Sequence, residues 1–524
     1  MSTIKPSLII ATYNWPEALD LVLQSVEQQS LLPYEVLIAD DGSTSETKQV
    51  IDKYKEHGIL NIHHIWHEDK GFRLSEIRNK AIDKANGNYI IQIDGDTFLH
   101  KDFVKDHVLH ARSGQFISGS RVLLAQKLSK HLLDTQSLVF NRFDNDIKNK
   151  HYQFHLPFIT RLLKKPTKNV EKVIRSVRGC NMSFWKKDLL KVNGYNEKLV
   201  GWGREDSEIS ARLVHLGLKK INLKFSAIQY HLYHKEASKD QLIKNHTSLM
   251  ETIKKKKTIT EYGIKKINSQ QEGLPISAII LTLNEEENIS AAIENLDFVN
   301  EIIVVDSFSS DKTPELAKSK NVRFYPHKFI DFSSQKAFAI SKTKNKWILF
   351  LDADERLSDE LIEEIKSNIL YPDQDIKGYW IKRQNFFKKK RIRFSGWQND
   401  KVLRLFHKDF CKPNGKWVHE GIQCEGKTKI LKSPLYHYTF KDKTEYKLKI
   451  LFYAKLKAFE YYKNGMKPGY YHLYLKPLYR FFFHYFYRLG FLDGKAGFII
   501  SSINAKGMYW RYKFLKKLYK KEKK

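Results

Sequence analysis

The sequence predicts an α/β protein of two tandem domains, each built on a mostly parallel sheet with helices on both faces, followed by a helical, basic and aromatic C-terminal extension. Three observations predict it. At 524 residues the chain is too long for one ordinary core and suits two of about 250 residues. Short apolar strands alternate with helical patterns, the mark of a parallel sheet. Finally, three strand-ending motifs occur twice, in one order.

The repeat runs as follows. Leu8-Ile9-Ile10-Ala11 leads into Thr12-Tyr13-Asn14, and Ala278-Ile279-Ile280-Leu281 into Thr282-Leu283-Asn284. Second strands end at Asp40-Asp41-Gly42-Ser43 and at Asp306-Ser307-Phe308-Ser309. Third strands, Ile90–Ile93 and Ile348–Leu351, end in Asp94-Gly95-Asp96 and Asp352-Ala353-Asp354. Asn14 and Asn284 lie 270 residues apart, Asp40 and Asp306 266, and Asp94 and Asp352 258. A slowly shrinking offset fits related domains with trimmed loops. Ligands of such sheets bind beyond the carboxyl ends of the strands, where all these tips lie. The expected boundaries are 1–240 for the first domain, 241–273 for a basic, solvated, partly helical linker, 274–440 for the second domain and 441–524 for the extension.

Composition narrows the setting. Hydrophobic residues make up 42%, enough for two cores. A net charge of +32 favours polyanionic partners, and no zinc-finger spacing or nucleic-acid module accompanies it, so nucleic acid is not expected. The three cysteines, Cys180, Cys411 and Cys424, are odd in number and far apart, which predicts reduced thiols. A strand pattern begins by Leu8 without a charged and apolar leader, and no stretch holds 18 uninterrupted apolar residues. The expected location is cytoplasmic and peripheral, at the inner face of the membrane.

The acids suggest the chemistry. Two carboxylates two residues apart, after a buried strand, suit a hard divalent cation that also binds substrate phosphates. Asp40 and Asp41, with Asp306 as counterpart, are placed to accept hydrogen bonds from a nucleobase or ribose; capping of the next helix by Ser43 or Ser309 is the other open reading. Gly201-Trp202-Gly203-Arg204-Glu205-Asp206 offers a flat ring for a sugar and a carboxylate pair opening a helix. Either acid suits a general base, or both simply favour a helix N-terminus. His231, in Tyr230-His231-Leu232-Tyr233-His234, and His437, in Tyr436-His437-Tyr438, are candidate metal ligands or structural imidazoles.

Together these residues resemble family 2 glycosyltransferases of the GT-A, Rossmann-like fold: inverting enzymes that use nucleotide-sugar donors and usually Mn²⁺ or Mg²⁺. The first half is similar to chondroitin-polymerase-type domains with a galactosyltransferase-like C-terminal part. It carries Thr12-Tyr13-Asn14, Asp40-Asp41-Gly42-Ser43, Gly71, Arg78-Asn79, Asp94-Gly95-Asp96 and the Gly201–Asp206 string, with Arg204 where relatives often have Gly. The resemblance implies donor binding by Thr12, Tyr13, Asn14, Asp40, Asp41, Arg78 and Asp94, and metal binding by Asp96 and His231. It also implies acceptor contact by Trp202 and Glu205, with Asp206 as the base. The second half resembles lipopolysaccharide core-biosynthesis β-glucosyltransferases through Leu283-Asn284-Glu285, Val305-Asp306-Ser307, Asp352-Ala353-Asp354-Glu355, Gly396-Trp397, Asp400, Arg404-Leu405-Phe406 and Val418-His419-Glu420. There Asn284, Glu285, Asp306, Lys336 and Asp352 are the implied donor residues. Asp354 and His437 are the implied metal ligands, Trp397 the acceptor contact, and Asp400 and Glu420 the candidate bases.

The implied partners are a nucleotide-sugar donor, a glycan or lipid-linked glycan acceptor and an anionic membrane surface. The aromatic and basic residues from Tyr479 to Lys521 suit the last of these, or a helical hairpin with a solvated tail. The expected function is a bifunctional inverting glycosyltransferase that uses nucleotide-diphosphate sugars, UDP-sugars foremost, to build a bacterial surface glycan such as lipopolysaccharide core or capsule. Alternating polymerisation of two sugars, a sugar nucleotidyltransferase and a non-catalytic membrane scaffold are the competing readings. The basic insert 141–178 is open between a lid, an acceptor surface and a membrane contact.

Overall fold

The computed structural model describes residues 3–235, 238–266, 273–388, 390–398, 400–414, 421–440 and 442–522. The chain forms two compact units: Met1–Ser269 with Glu363–Tyr371, and Gln270–Ile362 with Pro372–Lys524.

In the first unit a seven-stranded sheet runs in the order Lys219–Asn222, Gln115–Ser118, Asn181–Trp185, Tyr89–Asp94, Pro6–Thr12, Glu35–Asp40, Ile62–Trp66. The last four of these strands pair in parallel, and Asn181–Trp185 is antiparallel to both neighbours. Strand alternation sends Leu8, Ile10, Val36, Ile38 and Ile91 to one core cluster and Ile9, Leu37, Ala39 and Ile90 to another. Both faces are covered, so these strands read as unbroken apolar runs. A second sheet, Thr97–Leu99, Ile228–His231, Ser120–Leu124 and Ile147–Lys148, closes over the strand tips.

The second unit repeats this plan. Arg323–Pro326, Val299–Asp306, Leu274–Thr282 and Trp347–Asp352 pair in parallel, and Lys401–His407 joins Trp347–Asp352 antiparallel. The duplication extends to single atoms. Asn14 N donates to Ser43 Oγ and Thr44 N to Asn14 Oδ1, while Asn284 N donates to Ser309 Oγ and Ser310 N to Asn284 Oδ1. Both asparagines hold a positive φ, 45° and 57°, which Asn tolerates better than most residues.

Two expectations are corrected here. The segment 241–273 is not a solvated linker throughout: helix Leu242–Lys254 belongs to the first unit, buries Leu249, and donates from Thr252 Oγ1 to the buried Glu208. The cysteines are not all reduced. Cys411 and Cys424 face each other across a two-stranded antiparallel ribbon, Cα atoms 4.0 Å apart, and form a disulfide; only Cys180 is a free thiol. Direct cross-strand pairing brings Cβ atoms together over a sequence separation that carries no motif.

The C-terminal helices are part of the second unit's core. Helix Lys443–Lys463 packs along Lys495–Glu522, and Phe387, Ile392, Phe440, Tyr446, Ile500 and Ile503 form one cluster. Between the two helices a row of aromatic residues stays outside: Tyr479, Phe486 and Tyr487 are 66%, 52% and 75% exposed. No helix among the described residues is long and apolar enough to cross a membrane.

Candidate active sites

In the first unit the strand tips open into a cavity of about 530 Å³. Thr12, Tyr13, Asp41, Asp94, Asp96, Trp202, Glu205, His231 and His234 line it, together with Arg121 and Lys148. Strand Tyr89–Asp94 ends at the first acid, so Asp96 reaches the cavity through a turn and not through strand alternation. Gly95 suits that turn: its N–H bonds to Ala11 O, and a Cβ would lie 3.0 Å from that same oxygen.

Asp94 is held by Arg78, whose Nη2 donates to Oδ1 at 2.6 Å. The Arg78 side chain is 1% exposed, and its Nη1, 3.6 Å from Glu205 Oε1, has no hydrogen-bond partner. Burial pushes the Asp94 carboxyl up against the pull of Arg78. Asp96 has a different setting. Its Oδ2 lies 3.1 Å from His234 Nε2 and 3.6 Å from His231 Nε2, while its buried Oδ1 has no partner. Ligand atoms of Asp96, His231 and His234 all lie within 4.8 Å of one another. An orphaned carboxylate oxygen facing two imidazoles fits a divalent ion. Burial pushes His231 below the usual imidazole range, which favours the neutral ligand form. His234 had no role in the sequence reading; its spacing from His231 in the quoted string was the available signal.

Adjacent acids separate sharply. Asp40 is 1% exposed and accepts from Ser43 N and His64 Nε2, so it secures the turn and does not line the cavity. Asp41 lines it, with His67 on Oδ1 and Arg73 N on Oδ2. Asp306 is the counterpart of Asp40 alone: it pairs Thr282 as Asp40 pairs Thr12, and accepts from Ser309 N and Thr282 Oγ1. Ser307 takes the place of Asp41. Likewise Glu205 faces the cavity, whereas Asp206 turns to Gly179 N, Ser207 N and Ser207 Oγ. Burial, then the Asp206 charge, push the Glu205 carboxyl up to about 7.

The loop before Glu205 is held open by Gly201 and Gly203, at φ 71° and 102°. Arg204 follows at φ 77°, a left-handed backbone that glycine adopts at less cost. Asn245 Nδ2 bonds Val200 O and Gly203 O, so the helix expected to be linker clamps the loop that carries Trp202.

In the second unit Asp354 and His437 meet, His437 Nε2 lying 3.3 Å from Asp354 Oδ2. Their placement repeats the first site. Glu355 pairs His437 as Thr97 pairs His231, and Tyr438 N bonds Asp354 O as Leu232 N bonds Asp96 O. Asn385 Oδ1 lies 2.7 Å from His437 Nδ1, and accepting its proton leaves Nε2 bare. Asp352 is bound by Arg404, which also donates to the fully buried Glu355 at 2.7 Å. Burial pushes Asp352 up, and the charges of Arg404, His437, Arg383 and Lys336 together more than offset it. Glu355, Arg383 and Asn385 had no role in the sequence reading.

Other expected residues find structural duties. Asp400 has both oxygens on Arg383 at 2.9 Å and accepts from Asn385, and burial is outweighed by Arg383, Asn385 and the His437 charge together, so that its carboxyl lies below the usual range. A carboxylate so held is a weak base. Trp397 is not a free stacking face: it packs on Phe440 and Tyr446. Glu285 N bonds Thr313 Oγ1, and its carboxylate accepts from Asn288. Lys336 lies on helix Phe332–Ser341, and its charge helps lower Asp352. Glu420 lies outside the described residues.

Known proteins match this chain along both units. The family model described as "Glycosyl transferase family 2" covers residues 7–182 and 277–420, and one described as "N-terminal domain of galactosyltransferase" covers 164–235. An uncharacterized glycosyltransferase of Rickettsia bellii is 32% identical over 46% of this chain and 86% of its own. The lipopolysaccharide core biosynthesis glycosyltransferase LpsC of Rhizobium meliloti is 29% identical over 46% and 93%. The chondroitin synthase of Escherichia coli is 24% identical over 68% of this chain and 55% of its own length. Among solved structures, S. aureus TarS matches with 18% identity and a TM-score of 0.35, over 48% of this chain and 39% of that one.

Proposed function

The chain belongs to glycosyl transferase family 2, and on that premise we propose a bifunctional, inverting, metal-dependent enzyme that uses nucleotide-diphosphate sugars, UDP-sugars first, to build a bacterial surface glycan. The observation that carries this reading is the recurrence, at one register position, of an aspartate facing a histidine: Asp96 with His231, and Asp354 with His437. The names of the relatives, a core lipopolysaccharide transferase and chondroitin synthases, support the surface-glycan class.

Asp96, His231 and His234 would hold the divalent ion of the first site, and Asp354 and His437 that of the second. Bound there, the ion would neutralise charge on the departing nucleotide diphosphate. Asp41 offers the donor's base or ribose a carboxylate whose oxygens keep spare lone pairs. Arg78 lies behind the cavity wall and serves the donor site indirectly, by holding Asp94 and placing its charge 3.6 Å from Glu205. Trp202, 43% exposed on the cavity wall, gives the acceptor sugar a flat face. Glu205, once ionised, takes the proton of the acceptor hydroxyl as that oxygen attacks the anomeric carbon. The nucleotide diphosphate leaves from the opposite side, and one displacement inverts the configuration. Asp206 acts through Glu205 by raising its proton affinity. In the second unit Asp400 is tied to Arg383, which leaves Glu420, on sequence grounds, as the candidate base.

The exposed aromatic row and the lysine-rich end of the chain support docking at the inner face of a membrane bearing anionic lipid. The testing experiment is a donor screen on wild type, Asp96→Ala and Asp354→Ala, reading nucleotide diphosphate release. Each substitution is expected to silence one donor and spare the other. Loss of both activities from either variant, with folding intact, contradicts two independent sites. Product length with both donors present then separates a polymerase, which gives a ladder, from two single additions.

A further inference from the structure

A second group of metal-type side chains lies outside the cavity lining, where the insert 141–178 meets the start of helix Phe103–His110. His100, Asp102 and His155 present ligand atoms that all lie within 4.8 Å of one another. His100 Nδ1 and His155 Nδ1 are each 4.0 Å from Asp102 Oδ2, and the two rings lie at a 30° tilt with centroids 4.6 Å apart. Ligand atoms about 2.0–2.2 Å from a tetrahedral Zn²⁺ are separated by roughly 3.3–3.6 Å, so each nitrogen would close on Asp102 by roughly half an ångström.

The surroundings prepare these atoms. Asp106 is 2% exposed, fixed by Ala227 N at 2.8 Å, and lies 2.9 Å from His155 Nε2. A proton on that nitrogen leaves Nδ1 bare, the carboxylate–histidine arrangement that orients metal ligands. Ser30 Oγ donates to Asp102 Oδ1 at 2.7 Å and leaves Oδ2 available. His100 Nδ1 is unprotonated, accepting from Asp102 N at a long 3.2 Å.

We infer that His100, Asp102 and His155 form a structural site for a borderline transition ion such as Zn²⁺, with Asp106 as its outer carboxylate, which fastens the insert to the first unit. Two imidazoles and one carboxylate select such an ion over Mg²⁺. The consequence reaches the cavity. The insert contributes Lys148 to the cavity wall through its pairing with Leu123, and beyond His155 it is anchored by Leu156 N on Phe225 O. A tether at His155 restrains the segment between those anchors.

The test uses the full chain, freed of metal with a chelator, in an Asp96→Ala, His231→Ala, His234→Ala, Asp354→Ala, His437→Ala background that removes the ligands of both donor sites. Zn²⁺ is titrated by calorimetry, and bound zinc is counted by mass spectrometry of the intact protein. One equivalent is expected, with affinity at least tenfold weaker in His155→Phe and in Asp106→Asn. Phe keeps a flat ring in place of the imidazole, so unchanged circular dichroism separates a lost ligand from a lost fold, and His100→Phe provides an independent second variant. No stoichiometric zinc in the background protein, or equal zinc affinity in both Phe variants, overturns the site and leaves a metal-free hydrogen-bonded cluster.

Discussion

Glu205 gives the sharpest quantitative expectation. Its carboxyl is pushed from an ordinary 4.5 to about 7 by burial and by Asp206, and its side chain is only 15% exposed. That rise corresponds to roughly 3 kcal/mol favouring the protonated form in the fold. Two consequences follow in opposite directions. As a base the residue must be ionised: about a tenth of the molecules qualify at pH 6 and about nine tenths at pH 8, so donor turnover should rise about tenfold. As a folded group it binds a proton that the unfolded chain has already released between these two pKa values. Wild type therefore loses stability relative to Glu205→Gln as pH climbs from 4.5 to 7, by roughly 3 kcal/mol in all, and the difference is constant above 7. The assays are initial rates of nucleotide diphosphate release from pH 5.5 to 8.5, and urea denaturation of metal-free wild type and Glu205→Gln at pH 5 and pH 8. Asp206→Asn should shift the rising limb to lower pH, because it removes a repelling charge. A flat rate profile, or full activity in Glu205→Gln with Asp206→Asn inactive, would refute the assignment and return the base to Asp206.

Arg78→Ala removes a buried guanidinium and leaves the Asp94 carboxylate, one-third exposed at the cavity, without its partner, and should cost about 1–3 kcal/mol in denaturant unfolding of the first unit; an unchanged midpoint would mean that the pair contributes nothing. Arg204→Gly relieves a left-handed backbone and should raise stability by about 1 kcal/mol, read by thermal denaturation, with a fall in melting temperature as the contrary result. His234→Ala should weaken Mn²⁺ binding at the first site about tenfold or more while sparing the activity lost in Asp354→Ala; equal Mn²⁺ affinity would remove His234 from the ligand set. Replacing Phe486 and Tyr487 together by Ser should reduce co-sedimentation with vesicles containing anionic lipid, and undiminished binding would exclude the aromatic row as the docking face.

The sequence by itself determined the duplicated plan: apolar strands, polar tips in a fixed order, and a late histidine in each half. These are local patterns, set by strand burial and by what a chain must place where a buried strand meets solvent, and they survive in a linear string. Which member of each polar pair does chemistry was decided only in three dimensions. Asp40 and Asp41 are neighbours in sequence, yet the turn after the strand points one at His64 and the other into the cavity. Glu205 and Asp206 diverge in the same way at the first turn of a helix. Asp400 reads as a free acid until the fold brings Arg383 against it, and Trp397 as a free ring until Phe440 and Tyr446 close on it. His155 reaches His100 from 55 positions away, and Cys424 reaches Cys411 across a ribbon. Backbone rotation at a turn and contact between distant segments carry no signature in residue order, so these decisions belong to the packed chain alone.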